Sequence, residues 1–249
     1  MPTLDLSTTL VILVALSLGG MVKGATGAGA PVVAVPVIAA FFDVRLAVAV
    51  MVTPNLASNL WQLIEYRNEC LGGGFTWRFA LTGAFGALVG TVLLAILPER
   101  ALILIVALSV SAYIALRLVH PDFRLGAATA RRLAMPAGLA AGLLQGAAGI
   151  SAPVAVSFLN AMRLPRPVFI ATISAIFLGM AMVQLPALFA AGFLTPALFG
   201  LSVVALAPLL LSMRAGAWLA RRLSHEGFDR LTLLLLTLLA LRLFHSVLV

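Results

Sequence analysis

Apolar runs of bilayer-crossing length follow one another along nearly the whole chain, and that feature decides what it can fold into. A single helix needs about 20 apolar residues to cross a bilayer. The 249 residues therefore allow roughly eight to ten segments joined by short loops. With 63% of residues hydrophobic and 10% charged, there is too little polar surface to coat a soluble domain. A soluble enzyme, a disordered chain and a secreted disulfide scaffold are excluded. The runs are continuous instead of alternating, which argues against a transmembrane barrel. The expected fold class is an all-α polytopic membrane protein with the lipid bilayer as its solvent. The net charge of +8 reads as Arg-rich cytoplasmic loops, not as a nucleic-acid surface. Cys70 is the single cysteine, so no internal disulfide or zinc cluster is expected. Residues 1–5 carry no basic group ahead of the first apolar run, which argues against a cleaved signal peptide.

The first run, residues 6–22, is interrupted by Lys23-Gly24-Ala25-Thr26-Gly27-Ala28-Gly29 and followed by a short arm, 31–42. One helix over 6–42 would be about 55 Å long, too long for a single span. A re-entrant or tightly packed hairpin fits better. Three ordinary spans follow at 46–64, 79–97 and 101–119. The segment 120–131, with His120-Pro121-Asp122-Phe123-Arg124, reads as a polar cytoplasmic linker between a first repeat, 1–119, and a second, 132–249. The second half opens as the first did. The run 133–144 breaks at Gln145-Gly146-Ala147-Ala148-Gly149-Ile150-Ser151, a short arm covers 153–162, and spans are expected at 168–191, 194–219 and 231–249.

Each half is thus a broken pair plus three transmembrane helices. If each pair enters and leaves on one face, twelve arginines, among them Arg67, Arg117, Arg163, Arg166 and Arg230, share one side. Arg45, Arg100 and Arg242 fall toward the other. The positive-inside rule makes the first side cytoplasmic. An odd number of crossings per half then makes the two repeats inverted, with both termini outside. Eight spans, with each pair crossing once, fits the charges worse.

The two breaks align at a spacing of 122 residues: Gly20, Gly24, Ala25, Gly27, Ala30 and Pro31 fall on Gly142, Gly146, Ala147, Gly149, Ala152 and Pro153. Lys23 falls on Gln145 and Gly29 on Ser151. Glycine permits positive φ and close backbone approach. Proline favours the first turn of a helix, so Pro31 and Pro153 mark helix N-termini. Such termini carry partial positive charge and attract anions. Two of them, meeting near the bilayer midplane, would follow a recurring transporter design. Lys23 is the only lysine, and an intramembrane lysine costs about 2.5–3.5 kcal/mol on insertion scales. No acidic residue lies within the breaks, so a bound anion is the expected compensation; snorkelling to an interface is the plainer alternative.

The expected substrate-binding set is Lys23, Gly24, Thr26, Gly27, Gly29, Asn55, Gln145, Gly146, Gly149, Ser151, Thr172 and Ser174. Pro54 is expected to free a helix carbonyl. Ser58 and Asn59 stand evenly between binding and helix–helix glue, and Gln184 reads as glue. Gly83, Gly86 and Gly90 read as close-packing positions, Trp61, Trp77 and Trp218 as interfacial. His120, His225 and His245 sit near segment ends, and neither a metal nor a cofactor is expected.

With Gly20-Met-Val-Lys-Gly24-Ala-Thr-Gly27-Ala-Gly29, Pro31 and Pro36, repeated as Gly142-Leu-Leu-Gln-Gly146-Ala-Ala-Gly149-Ile-Ser151-Ala-Pro153, the chain resembles the sulfite exporter TauE/SafE family of membrane transport proteins. Ala171-Thr172-Ile173-Ser174, the helix with Gly86 and Gly90 ending in Pro98-Glu99-Arg100, and Arg221-Arg222-Leu-Ser-His-Glu226 are similar as well. The resemblance implies transport of a small sulfur-containing or organic anion, such as sulfite or a sulfonate. From the residues themselves, a secondary transporter for a small anion in the cytoplasmic membrane leads. An anion channel is an alternative. An intramembrane enzyme is the weaker one, since the nucleophile pattern around Ser151 is incomplete and no histidine lies deep in a span. A buried proton-carrying carboxylate is absent. A monomer suffices to build the site, and a homo-oligomer stays open.

Overall fold

The computed structural model describes residues 6–72, 74–119, 124–220, 222 and 225–248. His120 to Phe123 of the expected linker, and Arg221, Leu223 and Ser224 of the Arg-rich motif, lie outside the described residues. The described chain is helical: α1 (Leu6–Thr26), α2 (Ala30–Phe41), α3 (Val44–Glu65), a 3-10 turn (Arg67–Glu69), α4 (Phe75–Ile96), α5 (Glu99–Val119), α6 (Ala127–Ala148), α7 (Ala152–Ala161), α8 (Arg166–Ala190), α9 (Pro196–Val204), α10 (Leu206–Leu219) and α11 (His225–Leu248). Five stretches have the length and apolarity of membrane spans: Thr8–Thr26, Phe75–Ile96, Glu99–Val119, Arg166–Ala190 and Pro196–Leu219. Large apolar side chains such as Leu81, Ile96 and Leu211 point outward, as a lipid-facing surface requires, and Trp61, Trp77 and Trp218 are exposed with them.

Local chemistry sets the boundaries. Asp43 caps α3, its Oδ1 accepting from the Leu46 N–H at 2.7 Å. Both breaks are shorter than the sequence pattern suggests. Helix α1 runs through Lys23, Gly24 and Thr26, and α6 runs through Gln145 and Gly146, leaving Gly27-Ala28-Gly29 and Gly149-Ile150-Ser151 as the turns. Gly27 (φ 87°) and Gly149 (φ 67°) are left-handed, and their N–H groups bond the carbonyls of Lys23 and Gln145. These are αL helix stops, which a β-carbon would strain. The expected linker also shortens, because α6 begins at Ala127. The expected span 194–219 is interrupted at Ala205. Pro208 explains it: the ring offers no N–H to the Val204 carbonyl and crowds it.

Helix neighbours repeat under exchange of the halves. Helix α1 lies on α10 as α6 lies on α4, α3 on α9 as α8 on α4, and α2 on α11 as α7 on α5. The correspondence reaches single residues. A β-carbon on Gly24 would meet the backbone of Met213, and one on Gly146 the backbone of Ala87. Gly20 faces Leu209 as Gly142 faces Gly83. Gly86 and Gly90 likewise lie against the α6 backbone at Leu139 and Leu143, so α4 uses its glycines for close packing. Helices α3 and α8 cross the centre side by side. Gln62, near the end of α3, accepts from Ser174 Oγ near the start of α8 at 3.1 Å, while Gln184, late in α8, bonds Gln145, one turn before the Gly149 that lies against Val48 at the start of α3, so the two run antiparallel.

Candidate functional site

The polar groups of the core gather on α3 and α8, where they meet the ends of α1 and α6. Lys23 lies in the last turn of α1 and is 1% exposed. Its Nζ donates to Asn59 Oδ1 at 2.6 Å. Asn59 Nδ2 in turn donates to the Asn55 backbone carbonyl at 2.7 Å and to Asn55 Oδ1 at 2.8 Å. An ammonium has three donors, and the acceptor here is a neutral amide. Among the described residues no carboxylate comes within ion-pair distance of it; the ion pair there is Arg45–Glu99, at 3.0 Å. The C-terminal end of a helix is its negative pole, so α1 itself partly offsets the charge on Lys23.

The second break is built from the same positions with other chemistry. Gln145 Nε2 donates to Gln184 Oε1 at 3.2 Å, and Gln184 Nε2 donates to the Gln145 carbonyl at 3.0 Å. Ser151 Oγ donates to Gln145 Oε1 at 2.9 Å. Ser151 has φ −100°, so its position tolerates a side chain where Gly29, at φ 94°, favours none. Neither short arm has a side-chain cap at its N-terminus.

The structure does not bring Lys23 and Gln145 together. Asn59 lies about 22 Å along α3 from its start, and Gln184 about 27 Å along α8 from its own. With α3 and α8 antiparallel, the two clusters sit at levels about 10 Å apart on either side of the centre. Thr53 and Asn55 lie along α3 between those levels. Their Thr53 Oγ1 and Asn55 Nδ2 atoms are buried without a hydrogen-bond partner. Buried polar atoms are nearly always paired. Residues two apart on a helix face different sides of it, so of the two it is Asn55, bonded to Asn59, that adjoins Lys23. Pro54, between them, withholds an N–H from the Val50 carbonyl, and Ser202 Oγ of α9 supplies the bond at 2.7 Å.

The remaining expected site residues fall elsewhere. Thr172 Oγ1 accepts from the Leu71 N–H at 3.0 Å and Ser174 bonds Gln62, so both tie α8 to the first half. Thr26 Oγ1 bonds the Val22 and Ala28 carbonyls beside the first break. Gly24 and Gly146 serve helix packing, as above. Central places are also held by Asn59, which stood evenly between binding and glue, by Gln184, which read as glue, and by Gln62, which the sequence analysis did not single out. Their signal was spacing: Asn55, Asn59 and Gln62 recur at helical intervals on one face of α3.

No curated protein and no solved structure matches the chain. The model of the family described as Sulfite exporter TauE/SafE matches residues 11–243. Apolar spans and a match over nearly the whole length agree, and the chain belongs to the sulfite exporter TauE/SafE family of membrane transport proteins.

Proposed function

We propose that the chain is a secondary transporter that carries a small oxyanion of the sulfite or sulfonate class across the cytoplasmic membrane, with Lys23 as the charge partner. One observation carries this reading: a buried ammonium whose partner is an amide, with the Asn55 amide donor next to that partner lacking an acceptor. A buried charge is tolerated only when paired. A bound anion beside Lys23, reached by the spare ammonium donors and by Asn55 Nδ2, would supply both the charge and the missing acceptor. The uncapped N-termini at Gly29 and Ser151 add partial positive charge on either side.

Inverted repeats are part of the same reading. The exchange of helix neighbours and the antiparallel α3–α8 pair support them. Alternating access would then come from rocking about α3 and α8. The glycine contacts tie α4 to α6 and α10 to α1, so the bodies that rock exchange elements between the sequence halves. No buried carboxylate serves as a proton carrier among the described residues, which favours uniport or coupling through a protonated substrate.

The test is uptake of labelled sulfite, sulfonates and small carboxylates into liposomes containing the purified protein. Saturable uptake with counterflow, abolished in Lys23→Gln, is expected. Flux that survives Lys23→Gln unchanged would remove the charge assignment.

A further inference from the structure

We propose that Gln62 is a specificity-determining residue of the anion site: its amide donates to an oxygen of the oxyanion that Lys23 holds, and Ser174 positions it. The inference rests on the reading of the chain as an anion carrier. Gln62 is buried, at 6% exposed. Among the described residues its side chain makes one hydrogen bond, accepting from Ser174 Oγ at 3.1 Å. Its Oε1 is therefore engaged, and its Nε2 keeps both donors.

The pair lies against the first break. Asn59, which accepts from Lys23, is one turn before Gln62 on the same face of α3. Ile170, one turn before Ser174 on α8, packs where a β-carbon on Gly27 would lie. Because α3 and α8 are antiparallel, the Gln62–Ser174 bond falls between these two contacts, and both contacts belong to the first break. Side chains on a helix lean toward its N-terminus, which carries the Gln62 amide toward the level of Asn59. Asn55, one turn beyond Asn59, presents the unpaired Nδ2. Two amide donors thus flank the partner of the ammonium on one stripe of α3, about 10 Å from end to end.

The second repeat shows such an amide when the protein satisfies it. Gln184 stands 122 residues from Gln62, the spacing of the two breaks. Its Oε1 accepts from Gln145 Nε2, and its Nε2 donates to the Gln145 carbonyl. In the first repeat Lys23 replaces Gln145 and turns to Asn59, and Ser174, whose counterpart is Val52, occupies the Gln62 acceptor. Helix glue would spend both ends of the amide, as Gln184 does. The exchange instead leaves over a fixed amide donor near the only lysine. Sulfite or a sulfonate offers three acceptor oxygens, enough for Lys23 and for amides on either side of Asn59. A halide is a single atom that the ammonium alone satisfies. The amides therefore favour oxyanions over halides, because specificity is a difference of affinities.

The experiment is equilibrium binding of labelled sulfite to the full chain in phosphatidylcholine nanodiscs, with chloride as the competitor. The wild type is compared with Gln62→Met, Ser174→Ala and Ser174→Thr. Gln62→Met keeps the side-chain volume and removes the donor. Sulfite should bind it roughly ten-fold more weakly, as loss of a hydrogen bond to a charged group gives, while chloride competes as in the wild type. Ser174→Ala frees the amide to turn and should weaken sulfite by about three-fold, again without affecting chloride, and Ser174→Thr should restore it. A purely structural role would weaken both anions together. Equal sulfite affinity in Gln62→Met and the wild type overturns the proposal, as does parallel weakening of sulfite and chloride. If Gln62→Met does not fold, Ser174→Ala decides, and an unchanged ratio of sulfite to chloride affinity overturns the proposal. Flux that depends on Lys23, with binding indifferent to Gln62, would overturn this assignment and leave the carrier reading standing. Gln62-dependent selectivity without flux would do the reverse. Absence of sulfite binding in the wild type would overturn both.

Discussion

The two breaks share a backbone plan and differ in electrostatics. Gly27 and Gly149 stop α1 and α6 with the same left-handed turn and the same N–H to carbonyl bond. Gly24 and Gly146 admit the same close helix neighbour. At the equivalent side chain, one break has an ammonium held by Asn59, and the other a glutamine whose amide and carbonyl are answered by Gln184 and Ser151. A duplicated scaffold therefore carries one charged, incompletely satisfied site and one neutral, closed one. Symmetry serves the fold, and under the proposed function the asymmetry gives the carried anion its place.

The comparison breaks most severely at the shared scaffold. Gly24→Leu and Gly146→Leu each force a side chain into a neighbouring backbone, and overpacking typically destabilises by about 1–3 kcal/mol, more where backbone must move. Both variants should lose most folded protein, and by similar amounts, in thermal unfolding followed by size exclusion. A large difference between them would show that the two packings are not equivalent.

The next effects should differ in sign. Lys23→Met removes a buried charge without a counter-ion, so the unfolding midpoint should hold or rise while flux vanishes. Gln145→Met strands the donor of Ser151 and the acceptor of Gln184, a loss of about 1–3 kcal/mol for buried groups left unpaired. Thermal midpoints of the two variants, measured side by side, check this. Equal destabilisation by both would mean that Lys23 is satisfied within the protein.

Much of this was legible beforehand, for stated reasons. Broken pairs, the repeat and Lys23 as the unusual residue follow from glycine, proline and charge at a fixed spacing, all local properties of a string. The extent of the breaks was less legible. Glycines at 24 and 146 read as turn formers, yet they are helical because what they accommodate is a neighbouring helix, a tertiary fact. The partners of Asn59 and Gln184 were hidden for the same reason. An amide on an apolar helix is glue or ligand according to what it faces, and only the packing of α3 and α8 reveals that. Thr172 and Ser174 illustrate the converse, since their polar stretch ties α8 to Leu71 and Gln62.

Asn59 permits a finer test of the charge argument. Asn59→Asp keeps the side-chain shape and replaces the amide with a carboxylate beside Lys23. The fixed internal anion should then occupy the place of the transported one. Sulfite flux should fall at least ten-fold, while the thermal midpoint drops only as far as loss of the two Asn59 Nδ2 bonds to Asn55 requires. Unchanged flux would show that Lys23 swings away from Asn59 during transport.

The smallest effect belongs to Arg45 and Glu99, a charged pair that is already complete. Arg45 is held by Glu99 at 3.0 Å, by the Leu94 carbonyl at 3.1 Å and by the Leu97 carbonyl at 2.6 Å, and Glu99 also accepts from the Val44 N–H at 2.8 Å. Both side chains are about a quarter to a third exposed, at 27% and 33%. Solvent screening holds such a pair to about 0.2–1 kcal/mol. Glu99→Gln keeps an acceptor for Val44 and should lower the midpoint by no more than that, with sulfite flux unchanged across pH. A flux that loses its pH dependence in Glu99→Gln would instead make this carboxylate a proton carrier. The contrast with Lys23 would then no longer be between an anchor and a site, but between two parts of one transport cycle.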